Sequence, residues 1–253
     1  MKLGYRTTGL EDVSWEKSFS ILNEIGYEFV EICLEGSEVL KGGDPKADQV
    51  KTWLNKNELE ASVSYHGDDV SLKEKIENTY KAIEYAGQLP VEIVIINAEA
   101  VKPGQKQEQF DDLISRYRDF CAAAKEEDII LAVEPEPDLV VHGLEDTLQL
   151  LKEVNSSHLG VNLDVGHAYI TDDDLAKVIN QLGDSIIHVH LEDIANKKHK
   201  HLIPGHGDID FHNLISSLKD INYNGPLVFD LFGLDENNIV CAEKSYSFLE
   251  EIL

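Results

Sequence analysis

A chain of 253 residues and 28.3 kDa, 42% of them hydrophobic, can bury one large core or two small ones, and a single α/β barrel of about 250 residues falls within that range. Its 48 acidic against 22 basic residues give a formal charge of -26, which repels phosphate backbones and anionic lipid, so neither nucleic acid nor membrane is expected as a partner. Cys33, Cys121 and Cys241 are odd in number and far apart, as reduced core thiols of a cytoplasmic protein would be; no signal-like leader and no apolar run of about eighteen residues is visible.

Lys2 to Arg6 reads as a strand, and Ser14 to Ile25 as a helix with Ser14 at its N-cap and Gly26 as its stop. Phe29 to Leu34 is a second strand, followed by a helix that Pro45 can open and that runs to about Asn57. The alternation continues with strand Ala61–Tyr65 and helix Ser71–Gln88, strand Val91–Ile96 and helix Gln107–Glu126, and strand Ile129–Val133 and helix Leu144–Val154. Strand Leu159–Leu163 precedes helix Asp172–Leu182, strand Ile186–Leu191 precedes helix Phe211–Ile221, and strand Leu227–Leu231 precedes a last helix over Glu236–Ile252. Several strands are near-continuous apolar runs, as parallel strands covered on both faces require. Eight such units without a linker predict an α/β fold, a single (β/α)8 TIM barrel occupying 1–253. An open doubly wound sheet is the rival, disfavoured because Tyr5-Arg6-Thr7-Thr8-Gly9 carries no glycine-rich phosphate fingerprint.

In such a barrel the polar residues closing the strands share one rim: Arg6, Glu31, His66, Asn97, Glu134, Asp164, His190 and Asp230, with His167 just beyond. Asp164 and His167 flank a short turn after an apolar strand, and the acid or imidazole recurs on the strands before and after. Glu134, Asp164, His190 and Asp230 therefore form the expected metal set, three carboxylates and one imidazole. That hard shell suits Mn, Mg or Co, with Zn an alternative if several ions bind. Glu136 lies two residues past Glu134, beyond Pro135, and reads either as a neighbouring or substrate contact or as an exposed loop acid; His188 shares a face with His190 and is read as a buried, hydrogen-bonded residue. Lys197, His199 and His201 lie in the one locally basic stretch, residues 196–208, which reads either as a clamp for an anionic group, as a second metal site, or as a solvated loop. The runs Lys73 to Glu77 and Lys125 to Asp128 are expected to be solvated helix faces, and Trp15 and Trp53 packing residues.

These residues resemble the xylose isomerase-like TIM-barrel superfamily, the sugar phosphate isomerase/epimerase group. The resemblance covers essentially the whole chain and rests on the strand ending at Glu134, on Asp164-x-x-His167, on His190-x-x-Asp193 and on Pro204-Gly205-His206-Gly207-Asp208-Ile209-Asp210-Phe211. It implies metal ligation at Glu134, Asp164, His190 and the acid ending strand eight, with His167 beside the substrate. In the epimerases of the group the first and last of those acids also exchange a proton on opposite faces of the substrate carbon, which gives Glu134, Asp230 and His167 catalytic roles; Arg6, His66, Glu136, Lys197, His199 and His201 are expected as substrate contacts from their places on the rim and in the basic stretch. The chain departs from the group in three places: Asp230 stands where Glu is usual, Asn196 where the ketose epimerases carry Arg, and Asn97 where endonuclease IV has a metal-binding His. Alignment to endonuclease IV also puts His201 on a metal ligand and His199 on an Asp position. The leading expectation is a metal-dependent isomerase or epimerase of a small sugar, polyol or sugar-derived ketone; the alternatives are a multi-metal hydrolase or lyase and a catalytically silent ligand-binding barrel. The expected partner is a small-molecule substrate, and a homo-oligomer is compatible with the sequence.

Overall fold

The computed structural model describes residues 1–234 and 236–253. Eight strands, β1 (Lys2–Arg6), β2 (Phe29–Cys33), β3 (Glu60–Ser64), β4 (Val91–Asn97), β5 (Ile130–Glu134), β6 (Leu159–Asp164), β7 (Ile186–Leu191) and β8 (Pro226–Phe229), follow one another around a closed barrel. Every neighbouring pair is parallel, and β1 closes on β8 with Leu3 opposite Leu227 and Tyr5 opposite Phe229. The helices α1 (Trp15–Ile25), α2 (Ala47–Lys56), α3 (Leu72–Gly87), α4 (Lys106–Glu126), α5 (Leu144–Val154), α6 (Val165–Thr171), α7 (Leu175–Leu182), α8 (Phe211–Asp220) and α9 (Asn238–Glu250) lie between the strands in chain order. The barrel expected from the sequence is the barrel observed.

Two of its details differ. The sequence predicts one helix after β6, from Asp172; there are two, and α6 begins directly after Asp164, so Asp164-Val165-Gly166-His167 is a helix N-terminus rather than a free turn. The strand interiors are expected to be aliphatic. By the two-residue period the aliphatic set (Val30, Ile32, Val63, Val94, Leu131, Val133, Val161, Leu163, Val189) faces outward under the helices. The inward set includes Arg6, Glu31, Ser62, Asn162, His188 and His190, all buried and bonded to one another across the lumen. A polar lumen is sustainable because nearly every member finds a partner there.

Gly26 ends α1 in the left-handed region (φ 117°), the stop expected of it. Trp15 and Trp53 pack against the core, and both also line a cavity of about 460 Å³ beside Thr7, Cys33 and Glu35. Lys125 to Asp128 is exposed as expected, but Lys75 corrects the other charge run: it is buried, and its ammonium donates to Asn97 Oδ1 (2.6 Å) and the Ala98 carbonyl (2.8 Å). No helix of the described residues is long and apolar enough to cross a membrane.

Candidate metal centre

Asp164 is both the last residue of β6 and the N-cap of α6. Its Oδ1 accepts the His167 backbone N–H at 2.7 Å, satisfying a helix-end donor, and this leaves Oδ2 buried without a partner. On β7, His190 donates from Nε2 to Glu31 Oε2 at 2.6 Å. A carboxylate only accepts, so this bond puts the proton on Nε2 and presents Nδ1 as the free face of the ring. That Nδ1 has no aligned partner, and it lies 3.2 Å from Glu134 Oε2, 3.8 Å from Asp164 Oδ2 and 3.9 Å from Asp230 Oδ2.

Glu134, Asp164 and His190 place one ligand atom each within 4.8 Å of the others. Asp230 stands at the edge of this group: Oδ2 pairs with Arg6 Nη1 at 2.9 Å, and Oδ1 is buried and unpartnered. The residues therefore fit a divalent ion. Unpartnered atoms of Asp164, His190 and Asp230, from the ends of β6 and β7 and the residue just past β8, lie with a third carboxylate, Glu134, and buried acids in that state call for a cation. Burial works against charge on His190, but Glu31 and Glu134 outweigh it and hold its pKa well above the ordinary value. An ion at Nδ1 would replace that proton.

Arg6 is the internal cation of this end of the barrel. Its Nε is 2.8 Å from Glu31 Oε1, a close ion pair not aligned as a hydrogen bond, and its Nη2 is 2.7 Å from His66 Nδ1. Burial raises the Asp230 pKa, but Arg6, His201 and His190 more than reverse this and keep the acid ionised. His66 Nε2 reaches Glu134 Oε2 at 3.1 Å; burial opposes its charge, and Glu134 and Glu35 overcome both that and Arg6, pushing His66 up to about 10. Glu35 accepts from the backbone N–H groups of His66 and Gly67 and from the Cys33 thiol.

The stretch after β7 is built around Asp193, whose carboxylate accepts the backbone N–H groups of Ile194, Gly205, Gly207 and Ile209. A Cβ at Gly207 would lie 2.3 Å from Asp193 Oδ1, so Pro204-Gly205-His206-Gly207 is the wrapping of this acid. The fold thus carries His201 into the site, where its Nδ1 bonds the Asp230 carbonyl at 2.6 Å, while Phe232 covers its ring with centroids 4.5 Å apart. His167 likewise turns Nδ1 to the Pro135 carbonyl (3.2 Å), and its Nε2 is 3.0 Å from His199 Nε2. His167, His199 and His201 thereby form a second group with ligand atoms within 4.8 Å of one another. The exposed Lys197 ammonium pairs with Asp173 at 3.3 Å and lies over the Tyr169 ring.

Glu136 joins Glu134 and His167 within the same distance and accepts from Asn97 Nδ2 at 3.1 Å; Lys75, by holding Asn97 Oδ1, turns that amide toward it. Reading by strand ends overlooks Lys75, Glu35 and Glu192. Glu192 is wholly buried, and burial and then Asp164 push its pKa well above the ordinary value; a Cβ on Gly166 would meet its Oε1 at 1.8 Å, so the Gly of Asp164-Val165-Gly166-His167 makes room for it. Neighbouring Asp193 is legible in the sequence and Glu192 is not, because nothing in Leu191-Glu192-Asp193 tells which acid turns inward.

Comparison with known proteins decides the family. Residues 19–252 match the family described as xylose isomerase-like TIM barrel. The chain belongs to that family. An uncharacterized protein of Methanocaldococcus jannaschii is 26% identical over 269 residues, covering 100% of this chain and 89% of that one. D-psicose 3-epimerase of Enterocloster bolteae is 27% identical over 129 residues, 50% of this chain and 41% of the enzyme. The match thus spans less than half of the epimerase's length. A solved D-tagatose 3-epimerase-like protein superposes with a TM-score of 0.87 at 26% identity, covering 100% of this chain and 97% of that one. The IolI protein, solved with a zinc atom, does so at 0.86 and 18% identity over 100% and 98%, a likeness of fold alone.

Proposed function

We propose that the protein is a divalent-metal-dependent isomerase or epimerase of a small sugar, polyol or sugar-derived ketone. The observation that carries this is the convergence of unpartnered Asp164 Oδ2, His190 Nδ1 and Asp230 Oδ1 beside Glu134. Glu134, Asp164, His190 and Asp230 would hold the ion, and their oxygen-rich chemistry favours Mn, Mg or Co. When bound, it supplies Lewis-acid polarisation of a carbonyl and its neighbouring hydroxyl. The family membership supports the reading, as do the epimerases and inosose dehydratases among the relatives.

The chain's own residues supply proton movement. Glu134 Oε2 is engaged by Asn162 and His66, whereas Oε1, 3.6 Å from His167 Nδ1, is free to take the proton from the carbon next to the carbonyl. Asp230, ionised by Arg6, is the second carboxylate of the exchange. His167, His66, Glu136, His199 and His201 would offer hydrogen-bonding groups to the substrate, and Phe232 packs on the His201 ring beside them.

The test is turnover of a ketose and inosose panel in D2O with Mn(II) or Co(II). Interconversion should place solvent deuterium on the exchanging carbon, and Glu134→Gln should lower the rate by about 10²-fold or more. Metal analysis should give near one ion per chain; interconversion without deuterium uptake, or two or more tightly held ions, would refute the mononuclear proton-transfer reading.

A further inference from the structure

Below the rim, four buried side chains form one hydrogen-bonded row across the lumen. Asn162 Nδ2 donates to Glu134 Oε2 at 2.8 Å, Asn162 Oδ1 lies 2.9 Å from His188 Nδ1, and His188 Nε2 lies 3.2 Å from Ser62 Oγ. Ser62, Asn162 and His188 are each 0% exposed and Glu134 is 2%, so water competes for none of these bonds.

The direction of every bond follows from its upper end. Glu134 as a carboxylate only accepts, hence the amide of Asn162 must turn its NH2 upward and its oxygen downward. The downward oxygen requires a donor, so His188 carries its proton on Nδ1. Nε2 is then an acceptor, and the Ser62 hydroxyl donates to it. The reverse orientation would set Asn162 Oδ1 against the Glu134 oxygen, two acceptors at 2.8 Å between buried side chains.

We infer that Asn162 is a positioning residue that assigns different tasks to the two Glu134 oxygens, with His188 and Ser62 fixing its amide. The inference rests on Glu134 being the ligand and base proposed above. Oε2, tied to Asn162, is the oxygen that faces His190 Nδ1 at 3.2 Å and belongs to the ligand cluster; Oε1 stays on the His167 side at 3.6 Å, free for the substrate proton. Without the Asn162 bond Oε2 keeps only the longer contact from His66 Nε2 at 3.1 Å, and the carboxylate is freer to rotate about its last bond and exchange the two roles.

The experiment has two arms. In 15N-labelled protein without metal, long-range 1H–15N correlations, with the His188 signals assigned by loss in His188→Gln, should show the Nδ1–H tautomer. In Asn162→Ala the proton should move to Nε2, where Glu31 Oε2 lies 3.6 Å away. An Nε2–H or doubly protonated ring in the unsubstituted protein would overturn the assignment. In the second arm, free Mn(II) is counted by electron paramagnetic resonance, and Asn162→Ala should bind about 10–100-fold more weakly, as loss of a ligand-orienting partner does. Equal affinity within threefold would overturn the positioning role. Unsubstituted protein that binds no Mn(II) would instead refute the metal-dependent function, and the tautomer arm, which needs no metal, would still decide the hydrogen-bond row.

Discussion

The acids of the candidate centre divide their oxygens in a common way: one is used by the fold and the other is left over. Asp164 caps α6 with Oδ1, Asp230 pairs with Arg6 through Oδ2, and Glu134 bonds Asn162 through Oε2. Glu35 is the contrast, with both oxygens occupied, by two backbone N–H groups and by the Cys33 thiol. It is therefore a residue of stability, and its surroundings favour its charged form. Burial raises its pKa, but the His66 bond and charge and Arg6 prevail, lowering it from 4.5 to about 2. The stabilisation is present above the unfolded value and is lost as pH falls from 4.5 toward 2. Glu35→Gln should cost on the order of 2 kcal/mol at pH 7, read from urea midpoints, and the gap to the unsubstituted protein should close as pH drops through that window. A gap that widened on acidification would contradict this. Glu134, Asp164 and His190 are legible in the sequence because an apolar strand rarely ends in a buried acid or imidazole unless that group has something to bind. The role of Glu31 is not, since orientation of His190 depends on a neighbour 159 positions away.

Among elements, the segment after β7 is tied together through one side chain. Four backbone donors from Ile194 to Ile209 converge on Asp193, and its own backbone pairs with Leu202 in both directions. Asp193→Ala should leave those donors without an acceptor at a cost on the order of 3 kcal/mol. It should also speed amide hydrogen exchange across 194–209 while leaving α3 and α4 unchanged; uniform acceleration everywhere would mean that Asp193 supports the barrel rather than the loop. The motif is visible in the sequence, but its work is not, because a stretch with several Lys and His residues reads equally as a clamp or a solvated loop. Lys75 illustrates the opposite error. Within Lys73 to Glu77 it has the spacing of an exposed charged face, yet α3 passes over the end of β4, and Asn97 and Ala98 draw the ammonium inward. Helical period reports which residues share a face, not which neighbour waits opposite them.

At the scale of the molecule, the repetition of strand and helix makes the barrel legible, since eight covered parallel strands without a linker have few other ways to close. The polar lumen is not legible: apolar runs show that strands are buried, but not which alternate residue faces the axis. That lumen couples the site to the whole fold, because the proposed ligands come from β5, β6, β7 and the residue just past β8, and the unfolded chain cannot bring them together. Without a cation, the cluster also places several carboxylates together in a chain of net charge -26. An ion held as proposed, by residues from β5, β6, β7 and just past β8, would therefore stabilise the native state against the unfolded one by its full binding free energy. At Mn(II) about 100-fold above its dissociation constant the gain is about 2.7 kcal/mol, which for a chain of this size raises the Tm by roughly 5–10 °C. Chelation should reverse the shift, and Asp164→Asn should abolish most of it, since that substitution replaces the unpartnered Oδ2 by an amide without charge. Differential scanning calorimetry of both proteins, with and without Mn(II), makes the comparison. Equal shifts in the two would place the ion elsewhere and remove Asp164 from the centre.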